Sequence, residues 1–161
     1  MRKLLNCLLI FCVLLLASCD KLRVYDEYVH VGSQWHKDSI ASFELKDIEL
    51  QKPYNLFINV RNNNDYEFSN LYLVVKMEEP NGLTKVDTLQ YLMANPDGTL
   101  MGDGFSDVKD NKLVYKLNYR FDKKGPYKVN IGQAVRKTGN IEGEEYLKGV
   151  TDIGFRIESI P

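Results

Sequence analysis

Cys19 is the residue whose type and neighbours select one definite chemistry. Leu16-Ala17-Ser18 runs directly into it. Small side chains at 17 and 18 let the backbone lie in a narrow peptidase groove, so cleavage is expected between Ser18 and Cys19. The freed cysteine then undergoes two reactions: its thiol takes a diacylglycerol in thioether linkage, and its new amino group takes an acyl chain. The approach to the site agrees. Arg2 and Lys3 form a basic start, and Leu4 to Leu16 is an apolar run broken only by Asn6. That run falls short of the roughly 20 apolar residues a membrane span needs, and charge resumes at Asp20. Residues 1–18 therefore read as a lipoprotein signal peptide that is removed, leaving Cys19 as the lipidated first residue.

The rest of the chain is poor in reactive constellations. A zinc site wants clustered His, Cys or carboxylate ligands. Cys7 and Cys12 leave with the leader, the Cys19 thiol is consumed by lipid, and the two histidines, His30 and His36, stand apart from other ligand types. They read as surface or packing groups, and no metal or other cofactor is expected. Gly32-Ser33-Gln34 lacks the Gly-x-Ser-x-Gly pattern that presents a nucleophilic serine, so no catalytic residue is assigned. Two features remain as candidate ligand or partner surfaces. The segment Asn95 to Asp107 holds Asp97, Asp103 and Asp107 among three glycines. Its oxygens would suit calcium, although the spacing is not that of an EF-hand loop and turn chemistry explains the same residues. Trp35, with Tyr25, Tyr28 and Tyr54, would suit a sugar-stacking platform, or else core and cross-strand packing.

These residues must be positioned by strands. After the leader, runs of β-branched and aromatic residues alternate with turn chemistry. Strands are expected at 24–31, 39–45, 54–60, 71–77, 84–93, 113–121, 127–135 and 151–157. Pro53, Asn62-Asn63-Asn64-Asp65 and Pro80-Asn81-Gly82 punctuate them. Ala41, Phe43 and Leu45 alternate with Ile40, Ser42 and Glu44, and Leu113, Tyr115, Leu117, Tyr119 and Phe121 alternate with Val114, Lys116, Asn118 and Arg120, so each set is expected to face a core. Brief helical turns are expected at 133–137 and 143–147. The economical architecture is all-β, a single antiparallel two-sheet β-sandwich of Ig-like or jelly-roll-like type. Its parts would be the signal peptide (1–18), the lipidated cysteine with a short tether (19–24) and the sandwich (25–161). Gly125-Pro126-Tyr127 at a strand entry suggests a tyrosine whose hydroxyl turns back onto upstream backbone.

Charge narrows the partners. Loss of Arg2 and Lys3 takes the basic count from 21 to 19 against 22 acidic side chains, a net of −3. That balance offers no attraction to nucleic acid or to an anionic bilayer, so lipid must hold the protein to its membrane. No disulfide is available, because Cys19 is the one cysteine left after cleavage.

Beyond these features the sequence resembles the gliding-motility lipoprotein family GldH of Bacteroidetes. The resemblance runs through Val24-Tyr25-Asp26-Glu27-Tyr28 and Trp35, then Pro53-Tyr54-Asn55-Leu56-Phe57 with Val60-Arg61-Asn62, and Ser69-Asn70-Leu71-Tyr72-Leu73. It continues through Val86-Asp87-Thr88-Leu89, Met93-Ala94, Pro96-Asp97-Gly98, Gly102 and Gly104. Ala134-Val135-Arg136, Glu142-Gly143 and the run Gly149 to Glu158 complete it. Leu100 departs from the family pattern, where an aromatic is expected, which weakens a ligand role for that loop. The resemblance implies a non-enzymatic cell-envelope lipoprotein serving surface gliding and the associated type IX secretion machinery. Its partners would be the membrane, through the N-terminal lipid, and other gliding or secretion envelope proteins. The mixed charge of Asp20-Lys21-Leu22-Arg23 favours a domain facing the periplasm. The competing expectation is a lipoprotein that captures glycan or another small ligand.

Overall fold

The computed structural model describes residues 20–104, 106–137 and 139–160, so Ser18 and Cys19 lie outside the described residues. Its strands are β1 (Arg23–His30), β2 (Gln34–His36), β3 (Ala41–Leu45), β4 (Pro53–Asn62), β5 (Asn70–Glu78), β6 (Thr84–Leu92), β7 (Lys109–Arg120), β8 (Tyr127–Gln133), β9 (Tyr146–Lys148) and β10 (Val150–Ser159). They pair antiparallel as nested partners: β5 with β6, β4 with β7, β3 with β8, β2 with β9 and β1 with β10. The chain is in effect one long hairpin whose tip is the Pro80-Asn81-Gly82 turn. Gly82 takes a φ of 84° there, and the Leu83 amide donates to the Asn81 side chain at 3.1 Å.

Rolling that hairpin brings β10 against β4 and β8 against β5. Two four-stranded sheets result, ordered β1-β10-β4-β7 and β3-β8-β5-β6. This is the jelly-roll order, which decides between the two sandwich types expected from sequence. One apolar core lies between the sheets, as strand alternation requires. Leu56, Ile58, Val60, Ile153, Phe155 and Ile157 fill it from the first sheet, and Phe43, Leu71, Leu73, Val75, Val129 and Ile131 from the second. Phe43 and Phe155 meet across it, ring centroids 5.9 Å apart.

The structure corrects several expectations. β2 and β9 are strands too short for periodicity to reveal, and they form a small sheet that caps one end. Neither helical turn exists: β8 runs to Gln133, 134–137 are irregular, and β9 occupies Tyr146–Lys148. Leu117 is exposed rather than in the core. The β4–β7 register slips twice, between Tyr54 and Leu56 and again between Leu56 and Phe57, with Asn118 at a φ of 53°. Each extra residue on β7 reverses the side on which the next one falls. β1 begins at Arg23, inside the segment expected to be tether.

The corner at Tyr127 forms as the sequence suggests. Its buried hydroxyl accepts from the Lys123 amide at 2.9 Å, and its ring meets Phe121 edge-on at 4.9 Å. Loops 20–22, 46–52, 79–83 and 121–126 gather at this end of the sandwich. Loops 31–40, 63–69, 93–108 and 134–145 gather at the other, where β2 and β9 lie.

Candidate interaction surfaces

Trp35 is fully buried, and its indole N–H donates to the Ser39 carbonyl at 2.7 Å. It caps the core at the β2–β9 end and presents nothing to a ligand, which removes it from the candidate surface. Tyr54 is buried as well, while Tyr28 lies on an outer face under the Arg61 guanidinium, 4.9 Å from its ring centroid. These aromatics do not converge.

Asp97 and Asp107 commit their carboxylates to local structure, and Asp103 is held through its backbone. Asp97 Oδ1 accepts from the Thr99 amide at 3.0 Å and from its hydroxyl at 2.6 Å, which holds its carboxyl below the usual range. Asp103 exchanges two backbone bonds with Asp110, at 2.9 and 2.8 Å. Asp107 accepts from the Asn64 amide group at 3.2 Å, tying loop 93–108 to loop 63–69. His30 pairs with Asp152 at 3.1 Å on an exposed edge, and His36 packs edge-on against Tyr146 at 4.8 Å.

The outer face of β1-β10-β4-β7 is dominated by ion pairs, with Tyr28 and Val114 exposed among them. Its hub is Arg156, whose guanidinium reaches Asp26 at 2.7 Å, Glu158 at 2.6 Å and Asp20. Lys112 also reaches Glu158 at 2.6 Å and sits 4.1 Å over the Phe57 ring. Burial pushes the Glu158 carboxyl up, but the bonds from Lys112 and Arg156 outweigh it and hold the group below its ordinary value. Arg61 ties Asp110 at 3.0 Å to Asp152 at 3.8 Å. The alternation that points Ile153, Phe155 and Ile157 inward points Asp152, Gly154, Arg156 and Glu158 outward. Gly154 is needed because a Cβ there would lie 2.9 Å from the Tyr28 ring.

The outer face of β3-β8-β5-β6 is different. Leu92, Val86 and Ile40 stand 68%, 58% and 51% exposed, beside half-buried Tyr72 and Val74. At the β2–β9 end this face sinks into an open depression of about 860 Å³, floored by Phe68, Tyr72, Val74 and Ala134 and rimmed by Glu67, Arg136 and Lys137. At the rim Lys137 meets Glu144 at 3.4 Å, and toward the other end Asn130 donates to Glu78 at 2.7 Å and accepts from Ser42 at 2.7 Å. A seam closes the sandwich between β6 and β7: Tyr115 donates to Asp87 at 2.7 Å, Lys116 meets the same carboxylate at 2.8 Å, and Tyr91 donates to the Val114 carbonyl at 2.7 Å.

Apart from Asp20 and Glu158, the residues of both faces fall within 23–157, the span matched by the GldH lipoprotein family model. The chain belongs to the GldH lipoprotein family. It is 59% identical over 151 residues to the gliding motility lipoprotein GldH of Flavobacterium johnsoniae, covering 94% of each chain. It is 54% identical to a GldH homolog of Christiangramia forsetii, over 92% of this chain and 91% of that one. Among solved structures it is similar to the VP2 subviral particle of infectious bursal disease virus, at 12% identity and a TM-score of 0.39, covering 88% of this chain and 34% of that one. A likeness that distant bears on nothing further. For this GldH-family chain, sequence reasoning singled out neither Arg156 nor Leu92. The signal was present for Arg156, since it lies in a run alternating strictly between apolar and polar. It was weak for Leu92, because the edge strand β6 is mixed on both faces.

Proposed function

We propose that this chain is a non-enzymatic subunit of the gliding-motility apparatus and its associated type IX export. In this reading lipid on Cys19 holds it in the envelope, its domain faces the periplasm, and it works by offering a protein-binding surface. The observation that supports this most is the outer face of β3-β8-β5-β6, which keeps Val86, Leu92 and Ile40 in water. Exposed apolar side chains gathered on one sheet face mark surfaces that other proteins cover, and here Val86 and Leu92 stand toward the two ends of β6 with Thr88 and Gln90 between them on the same side. The adjoining depression is broad and open, which suits a partner's surface better than an enclosed small ligand.

Deleting the gene is expected to stop colony spreading and lower the amount of secreted cargo. Val86→Asp combined with Leu92→Asp is expected to reproduce that defect at normal protein abundance, as is Cys19→Ala. Full spreading and export by the double variant would contradict the assignment of the face.

A further inference from the structure

The first described residue is not at the end of a leash. Asp20 is ion-paired to Arg156, and its side chain also accepts from the Leu22 amide at 3.3 Å. The Leu22 carbonyl accepts from the Ser159 amide at 2.8 Å, extending the β1–β10 ladder to the very start of the domain. Arg156 is itself held by Asp26 and Glu158, so the pin is anchored in the sheet rather than in a loop. Cys19 immediately precedes Asp20, and one peptide step is about 3.8 Å. A lipid on that cysteine places Asp20 at the headgroup layer, a zone of only about 5–8 Å on each side of the hydrocarbon.

What surrounds Asp20 suits that position. The same end of the sandwich carries Leu22, Leu50 and Leu83, exposed at 40%, 39% and 52%. Leu50 lies in the β3–β4 loop and Leu83 beside the hairpin tip, so the three come from separate turns of the roll. Exposed Lys21, Arg23 and Lys124 flank them. Lysine and arginine stems lie along apolar surface while their charged ends stay at the phosphate level.

We infer that this end of the sandwich, bearing Leu22, Leu50 and Leu83, docks directly on the lipid bilayer, held there by the Asp20–Arg156 pin. The inference rests on lipidation of Cys19 and adds an orientation to it. The ten residues of β4 at about 3.3 Å each raise the opposite end roughly 30 Å above the surface. The depression at Phe68 and Tyr72 and the loop 93–108 then face away from the membrane.

The test uses the absence of any cysteine beyond residue 19. Leu50→Cys, Leu83→Cys and Ile141→Cys, the last at the far end and 89% exposed, each receive a nitroxide on the full lipidated protein. The protein is reconstituted on phosphatidylethanolamine and phosphatidylglycerol vesicles. Labels at 50 and 83 should collide with oxygen more than with a water-soluble nickel chelate, and the label at 141 should show the reverse. A Gly-Ser insert of a dozen residues between Cys19 and Asp20 should shift 50 and 83 to the pattern of 141 without releasing the protein. Equal water access at all three sites on vesicle-bound protein would overturn the docking, and contact that survives the insert would overturn the role of the pin. Failure to float with vesicles at all would overturn the lipid anchoring together with it.

Discussion

The outer faces of the two sheets arise from the same strand alternation and make opposite use of it. On β1-β10-β4-β7, Arg156 and Arg61 are bound to carboxylates of neighbouring strands, and Lys112 reaches across β4 to Glu158 on β10. On β3-β8-β5-β6, Val86 and Leu92 extend from an edge strand with no partner among the described residues to cover them. A protein docking on the first face would strip water from charges that are already paired, a cost its own contacts barely offset. Docking on the second removes apolar area from water at about 25 cal/mol per Å². In the proposed reading, one face gives internal support and the membrane pin, and the other gives recognition.

The largest effect should come from breaking the charged face at its hub. Arg156→Met leaves mostly buried Asp26 without a cation and Glu158 with Lys112 alone, and should cost about 2–3 kcal/mol in a urea titration. The loss should also carry a pH signature. Glu158 is held below its ordinary carboxylate value in the folded protein. Its contribution is therefore complete above about pH 5 and is lost as pH falls through roughly 4 toward the lowered folded value. Wild-type stability should drop on the acid side, and Arg156→Met should flatten that drop. A loss unchanged between pH 3 and 7 would mean that the arginine stabilises by packing its stem rather than by its charge.

Tyr127→Phe supplies a yardstick between the faces. It removes one acceptor from the Lys123 amide and should cost about 1 kcal/mol with the fold intact. If Arg156→Met costs no more than this, the network counts as a single hydrogen bond and the contrast is weaker than argued. The smallest effect belongs to the apolar face: Val86→Asp and Leu92→Asp should each change stability by less than about 0.5 kcal/mol, since neither side chain is buried. A larger loss would show that this face is structural.

Much of this was legible in the sequence. The strands at 41–45, 53–62, 70–78 and 150–159 carry strong alternation or long β-branched runs, and the Tyr127 corner has its own local chemistry. Topology was not legible, because the nested pairing depends on which edges meet after the hairpin rolls. The inward placement of Leu117 failed at a double register slip that no residue type announces. Trp35 was left open between a stacking surface and core packing because a three-residue strand gives no periodicity by which to place its side chain. The apolar face was obscured by β6, where Val86 and Leu92 share their side with Thr88 and Gln90 while Leu89 and Tyr91 face inward with Lys85 and Asp87.

The division between the faces is tested most directly by placing a photocrosslinking residue at Leu92 on one face and at Val114 on the other, in cells whose own gene carries the change. Both positions are exposed, at 68% and 47%, so access to solvent does not favour one trivially. Irradiating intact envelopes should give a discrete higher-mass adduct from position 92, lost when Val86→Asp is added, and none from position 114. Adducts from 114 and none from 92, at equal protein levels, would contradict the account.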